Sequence, residues 1–242
     1  MTRPAAREGG GPEQWHGTLL LLHPDAARSS RAGRVLLLAH EPAAAGGVLR
    51  GIDLLTPSKR SVWELGRPEM RAVDFGDLDF GARLGRLPVL YGGAAGTLGD
   101  AEGQCGLLAL STLAGLPSTR TVLGGALHLT DLLLDHNRTS TGPRGRPPGP
   151  ALTGLQHALR EAAPPELKML LGCRAWTELG ELEEQMKLGL WRAVEASEGG
   201  QALGLALVRV REGPVLFALW EALWSMSEPG GGAPLPLSVA PA

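Results

Sequence analysis

The hydrophobic period changes partway along Leu167 to Trp191, and that change restricts the fold more than any other feature of the chain. Met169 to Cys173 is a short apolar run closed by Gly172, Arg174 and Trp176, the pattern of a buried strand followed by a turn. From Leu179 the spacing becomes helical: Leu179, Leu182, Met186 and Leu190 fall within an arc of about 80°. Glu181, Glu183 and Glu184 crowd the first turn, where the helix dipole favours acids, and Glu183 and Lys187 make an i,i+4 pair. A strand–turn–helix unit with one apolar face has to bury that face against other elements.

Thr18 to Leu22 and Val35 to Ala39 are continuous apolar runs bounded by Pro24, Gly33 and Pro42, which predicts buried strands. Gly46 to Leu49 adds a third piece, and Ser58 to Leu65 reads as one or two helical turns with Val62 and Leu65 on one side. Arg67 to Arg86 reads as loop. Pro88 to Tyr91 is a strand running into Gly92-Gly93, and Leu107 to Leu113 is another, expected to pair with Thr121 to Leu123. Leu127 to Asp135 reads as a helix with Leu129, Leu132 and Leu133 on one face and Thr130 or Asp131 at its start. Arg138 to Pro150 carries four prolines and three glycines and cannot be a regular element. Ala151 to Glu161 is a short helix stopped by Pro164-Pro165, Ala202 to Val210 a strand, and Pro214 to Met226 a closing helix. Strands gathered early, helices mostly late and no regular βαβ alternation predict an α+β fold. The expected layout is a disordered tail over 1–14, one domain over 15–227 with a loop insertion and short helix at 138–165, and a second tail over 228–242.

The charge balance argues against several functions. With 23 basic and 25 acidic residues the net charge is −2, so there is no field to attract nucleic acid, and aromatics make up only 4% of the chain. Six histidines show no His-x-x-His or His-Glu-x-x-His spacing, which predicts no metal site. Ser111 lacks the flanking glycines of a nucleophile elbow. Gly92 to Gly96 is neither a Gly-x-Gly-x-x-Gly nor a Walker pattern, and it reads as a tight turn. No catalytic residue and no cofactor are expected. Cys105 and Cys173 share no Cys-x-x-Cys spacing and read as small core residues, not a disulfide, which with the absence of an apolar leader or membrane-length run predicts a cytoplasmic protein.

Several motifs, in order from about Gly17 to Trp224, resemble the YqgE/AlgH family. Gly17-Thr18-Leu19-Leu20-Leu21 and Val35 to His40 look like its first two strands, and Leu90-Tyr91-Gly92-Gly93 like its Tyr-x-Gly-Gly-Pro turn. Thr130 to Leu133 resembles its Thr-Ser-x-Asp-x-Leu segment. The most specific match is Gly172, Trp176, Gly180, Leu182, Glu183 and Trp191, with Glu181 where the family has Gln. Leu49-Arg50-Gly51 stands where the family has Asn-Arg-Pro, and Ala94 stands where it has Pro, so this looks like a divergent member. The resemblance implies a strongly curved, barrel-like, mostly antiparallel sheet surrounded by helices. It further implies a cytosolic protein without an established activity, sometimes described as a transcriptional regulator.

The functional expectation is a non-catalytic protein that binds an unknown protein partner, with no specific nucleic-acid binding and no membrane association. Its candidate surface is His40, Tyr91, Gly92, Gly93, Arg174 and Trp176, because Tyr, Trp and Arg are the side chains most enriched at interface hot spots. The alternative is a small-molecule-binding protein or enzyme with a pocket near His40, Tyr91 and Trp176.

Overall fold

A computed structural model describes residues 11–24, 35–41, 48–62, 81–92, 107–132, 149–176, 179–194, 200–209 and 213–226. These form a mixed α+β domain with two sheets and five helices. A 3-10 turn, Pro12–Trp15, precedes β1 (Leu19–Leu22), β2 (Val35–Glu41), β3 (Val48–Asp53) and β4 (Thr56–Ser61). Then come α1 (Gly81–Gly85), β5 (Pro88–Tyr91), β6 (Leu107–Ser111), β7 (Thr119–Val122), β8 (Leu127–Asp131) and α2 (Pro150–Ala158). The chain continues through β9 (Leu167–Leu171), β10 (Arg174–Trp176), α3 (Leu179–Lys187), β11 (Trp191–Val194), α4 (Gly200–Arg209) and α5 (Gly213–Met226).

The first sheet has the order β10-β3-β2-β1-β11 and is antiparallel throughout. The second runs β4-β5-β9-β6-β8-β7, antiparallel except where β5 lies parallel to β9. Among the described residues the strands make two sheets and not one closed barrel.

Burial explains the continuous apolar runs. In β9, Leu170 belongs to the core shared with the first sheet, while Leu167, Met169 and Leu171 pack with Ala151, Leu152 and Leu155 of α2. In β6, Leu108 and Leu110 face the shared core, and Leu107 and Ala109 the α2 side. A strand covered on both faces has no polar side to show, so its sequence loses the period of two. In β1, Leu19, Leu20 and Leu21 are fully buried, and α5 packs against that strand, with Trp220 Nε1 donating to Leu22 O at 3.2 Å.

Four segments differ from their sequence reading. Leu127–Asp131 is strand β8, not a helix: Leu127 and Leu129 face the core, and Thr130 is buried against the Thr119 hydroxyl at 2.7 Å and caps no helix. It also takes the place expected of Thr121 to Leu123 beside β6, and β7 pairs with β8 instead. Gly200–Arg209 is helix α4, not a strand; its Gly204 lies where an added Cβ would stand 3.1 Å from Leu127 Cγ and 3.2 Å from Ala126 Cβ. Thr56–Ser61 is an edge strand held by β5 rather than a helical turn. Arg174–Trp176 is not turn but β10, paired with β3. The helix expected from Leu179 is present with Leu182 fully buried, but it ends at Lys187 and turns through Gly189 at φ 73°, which leaves Leu190 37% exposed. The Arg138 to Pro148 loop and the 228–242 tail lie outside the described residues.

Candidate functional site

The two glycine-bearing connections singled out in the sequence lie side by side. Parallel pairing sets Tyr91 of β5 opposite Leu171 of β9, so Gly92 and Gly172 follow at neighbouring strand ends. Gly92 N donates to Leu171 O at 2.7 Å. A Cβ on Gly92 would lie 2.0 Å from Gly172 O, so only glycine fits there. Gly92 O in turn accepts from Asp53 N at 2.5 Å, which ties the last residue of β3 in the first sheet to the end of β5 in the second. Tyr91, fixed between Thr56 and Leu171, stays 39% exposed, while Gly92 is buried.

A charged pair lies behind this junction. Asp53 is 4% exposed and Lys168 1%. The Asp53 carboxylate accepts from Leu55 N at 2.8 Å and from the Thr56 hydroxyl, and Lys168 Nζ donates to Leu54 O at 3.1 Å. Burial raises the Asp53 pKa to about 6; the bonds from Thr56 and Leu55 and the nearby Lys168 charge oppose the shift without cancelling it.

Cys173 follows Gly172 in the short link from β9 to β10. It is buried at 2% exposure and is disulfide-bonded, which corrects the reading of the cysteines as unpaired core residues. The sequence holds one other cysteine, Cys105. Spacing along the chain could not reveal the bond, because a disulfide requires Cα atoms about 4.4–6.8 Å apart in space and places no limit on sequence separation. Arg50 of β3 donates from Nη1 to Cys173 Sγ at 3.6 Å.

His40 and Trp176 share a different place. Both stand opposite Leu49, His40 from β2 and Trp176 from β10, so the three form one register row across the first sheet. Arg174 stands opposite Gly51, two residues along. Leu49 is four residues from Asp53, so this row lies about 13 Å from the Tyr91 junction at roughly 3.3 Å per residue. The fold therefore brings Tyr91, Gly92 and the Gly172 link together, and His40 and Trp176 together, at opposite ends of β3. Gly93 lies outside the described residues.

His40 is bracketed by two side chains that sequence reading did not single out. Its backbone N–H donates to His16 Nδ1 at 3.1 Å, and its carbonyl accepts from Arg120 Nη1 at 2.7 Å. His16 Nε2 meets the carbonyl of Thr121 at 2.9 Å, so that nitrogen carries the proton and Nδ1 is the acceptor. Burial lowers the His16 pKa, with Arg120 and His40 adding to the effect and the Thr121 bond opposing it. His40 Nε2 is buried without a hydrogen-bond partner, as is Trp15 Nε1.

Lys168 was the one residue here with a legible signal: it is one of three lysines in the chain and sits inside an apolar run. Nothing near Asp53, His16 or Arg120 in the sequence marks them. Among the described residues no group of three or more His, Cys, Asp and Glu is arranged to hold a metal, and no helix is long and apolar enough to cross a membrane.

Fold and geometry thus define a mixed α+β domain whose two sheets are joined at a glycine contact. No family model matches the sequence, and no curated protein matches it. The chain is similar to the X-ray crystal structure of protein DIP2367 from Corynebacterium diphtheriae, with a TM-score of 0.46 and 16% identity over 98% of this chain and 92% of that one. At those values the likeness bears on neither fold nor function.

Proposed function

We propose that this chain is a non-catalytic protein of the YqgE/AlgH type that works by binding another protein, with Tyr91 at the contact. Tyr91 carries this reading: it is the only tyrosine of the chain, 39% exposed, at a strand end pinned by the Gly92–Leu171 bond. A large amphipathic side chain on a fixed backbone contributes much contact area for little lost entropy, which is why tyrosine is enriched at interface hot spots. The family assignment rests on the ordered motifs from Gly17 to Trp224. A strongly curved, barrel-like wrap of the sheets, a cytoplasmic location, independence from cofactors and the lack of specific nucleic-acid binding belong to the same proposal. Any regulatory effect would then be exerted through the partner.

The test is Tyr91→Ala. More than a third of that side chain is exposed, so the variant should melt within about 3 °C of the wild type. It should also lose a protein that co-purifies with the wild type and is identified by mass spectrometry. Retention of that protein by the folded variant would remove Tyr91 from the contact.

The second reading, a small-molecule or enzymatic pocket near His40, Tyr91 and Trp176, draws its support from the buried, unpartnered His40 Nε2. A ligand there should raise the melting temperature of the wild type and leave His40→Ala unmoved.

A further inference from the structure

We propose that the disulfide at Cys173 is a reducible redox site, with Arg50 holding the cysteine in its reduced form. In the oxidised protein the Cys173 sulfur is neutral, so the Arg50 Nη1–Sγ contact at 3.6 Å is a weak bond to a poor acceptor. Reduction places a thiolate at the same point, and the contact becomes a charge-assisted pair. The guanidinium therefore stabilises the reduced state more than the oxidised one. The backbone supports this bias: Arg50 and Ala175 are register partners across β3 and β10, which keeps Arg50 beside the Gly172–Cys173 link in either state.

The reductant is a dithiol. Cys173 is 2% exposed, so the incoming thiolate bonds to the other sulfur, the S–S bond breaks, and its electron pair passes to Cys173 Sγ beside Arg50. The second thiol of the reductant then displaces Cys105 from the mixed disulfide. The net change is one protein disulfide reduced to two thiols and one dithiol oxidised to its disulfide. A leaving thiolate that is stabilised departs faster, so Arg50 favours the rate as well as the equilibrium. Cys173 adjoins Gly172, the residue packed on Gly92, so the redox state acts one residue from the contact that joins the two sheets and fixes Tyr91.

The experiment equilibrates the full chain in graded ratios of reduced to oxidised dithiothreitol, alkylates free thiols and counts them by mass. Wild type should reduce at roughly a tenfold lower ratio than Arg50→Gln, equivalent to about 30 mV for a two-electron couple, with Arg50→Lys between them. Equal midpoints for wild type and Arg50→Gln would overturn the proposal. So would a midpoint for Arg50→Lys that matches Arg50→Gln, since the cation would then not be the cause. A measurement on wild type alone covers the case in which the variants do not fold. Wild type should become reduced in glutathione buffers that leave structural disulfides intact, and a chain that stays oxidised there refutes the idea.

Discussion

Gly92→Ala tests the junction between the sheets. The added Cβ would stand 2.0 Å from Gly172 O, 3.1 Å from Gly172 C and 3.3 Å from Ile52 Cγ2. The first contact is with backbone, so no side-chain rotation relieves it, and the strand ends must separate by more than 1 Å to reach an ordinary contact of about 3.4 Å. Two bonds hold those ends together: Gly92 N to Leu171 O at 2.7 Å and Asp53 N to Gly92 O at 2.5 Å. Each is worth about 1 kcal/mol net, and a buried donor left unpaired costs about 1–3 kcal/mol. Together with overpacking strain of about 1–3 kcal/mol, the expected loss is on the order of 4 kcal/mol. For a domain of this size that lowers Tm by roughly 8–16 °C. The assay is thermal and urea unfolding followed by circular dichroism, with Gly180→Ala as control. Nothing lies within 4 Å of a Cβ at position 180, which is in helix α3, so the control should be neutral or up to about 1 kcal/mol more stable. A Gly92→Ala protein that melts within about 2 °C of wild type would show that the sheet ends are not held as described.

Asp53 and His16 act in opposite directions with pH. The folded state binds the Asp53 proton at about pH 6 and the unfolded chain only near 3.8, so the stability from Asp53 is complete below 3.8 and is lost as pH rises through 6. At pH 7 the ionised group costs about 3 kcal/mol, so Asp53→Asn should raise stability there and flatten this arm of a pH–stability profile. Equal destabilisation by Asp53→Asn at pH 4 and pH 7 would refute the assignment. The lowered pKa of His16 means that its contribution is complete above 6.5 and is lost as pH falls through the folded value; His16→Ala should remove that acid-side loss in the same profile. Lys168→Met should cost about 3–5 kcal/mol by leaving Asp53 without its nearby cation, and Asp53→Asn in the same chain should recover much of it in a double-mutant cycle. Leu182→Ala, at a fully buried position, should lose about 2–5 kcal/mol in urea unfolding; a loss under about 0.5 kcal/mol would mean that the face is not packed.

The sequence by itself determined those elements whose burial leaves one period standing. The apolar runs of β1, β2, β5, β6 and β9, the Leu182 face of α3 and the long apolar side of α5 were all legible. So was the α+β class, since it follows from how strands and helices are distributed along the chain. Composition also marked Tyr91 as a rare aromatic beside a glycine turn. Tertiary structure decided the elements in which neighbours outweigh local preference. The apolar run in α4 carries no strand or helix period, because a wholly apolar segment looks the same in both; packing on Ala126 and Leu127 makes it a helix. In β8, leucines at a spacing that suits a helix alternate inward once β6 and β7 supply hydrogen bonds on both sides. β4 is polar and takes its form from pairing with β5.

The candidate sites divide in the same way. Residue types were visible, but their meeting was not: parallel pairing of β5 with β9 sets Tyr91 against Leu171, eighty positions away, and pairing on both sides of Leu49 aligns His40 with Trp176. The Asp53–Lys168 pair, the His16–His40–Arg120 clamp and the Cys173–Arg50 contact each depend on closure between distant strands. Side-chain chemistry is local to the residue, whereas proximity is a property of the whole chain and exists only once the two sheets have packed.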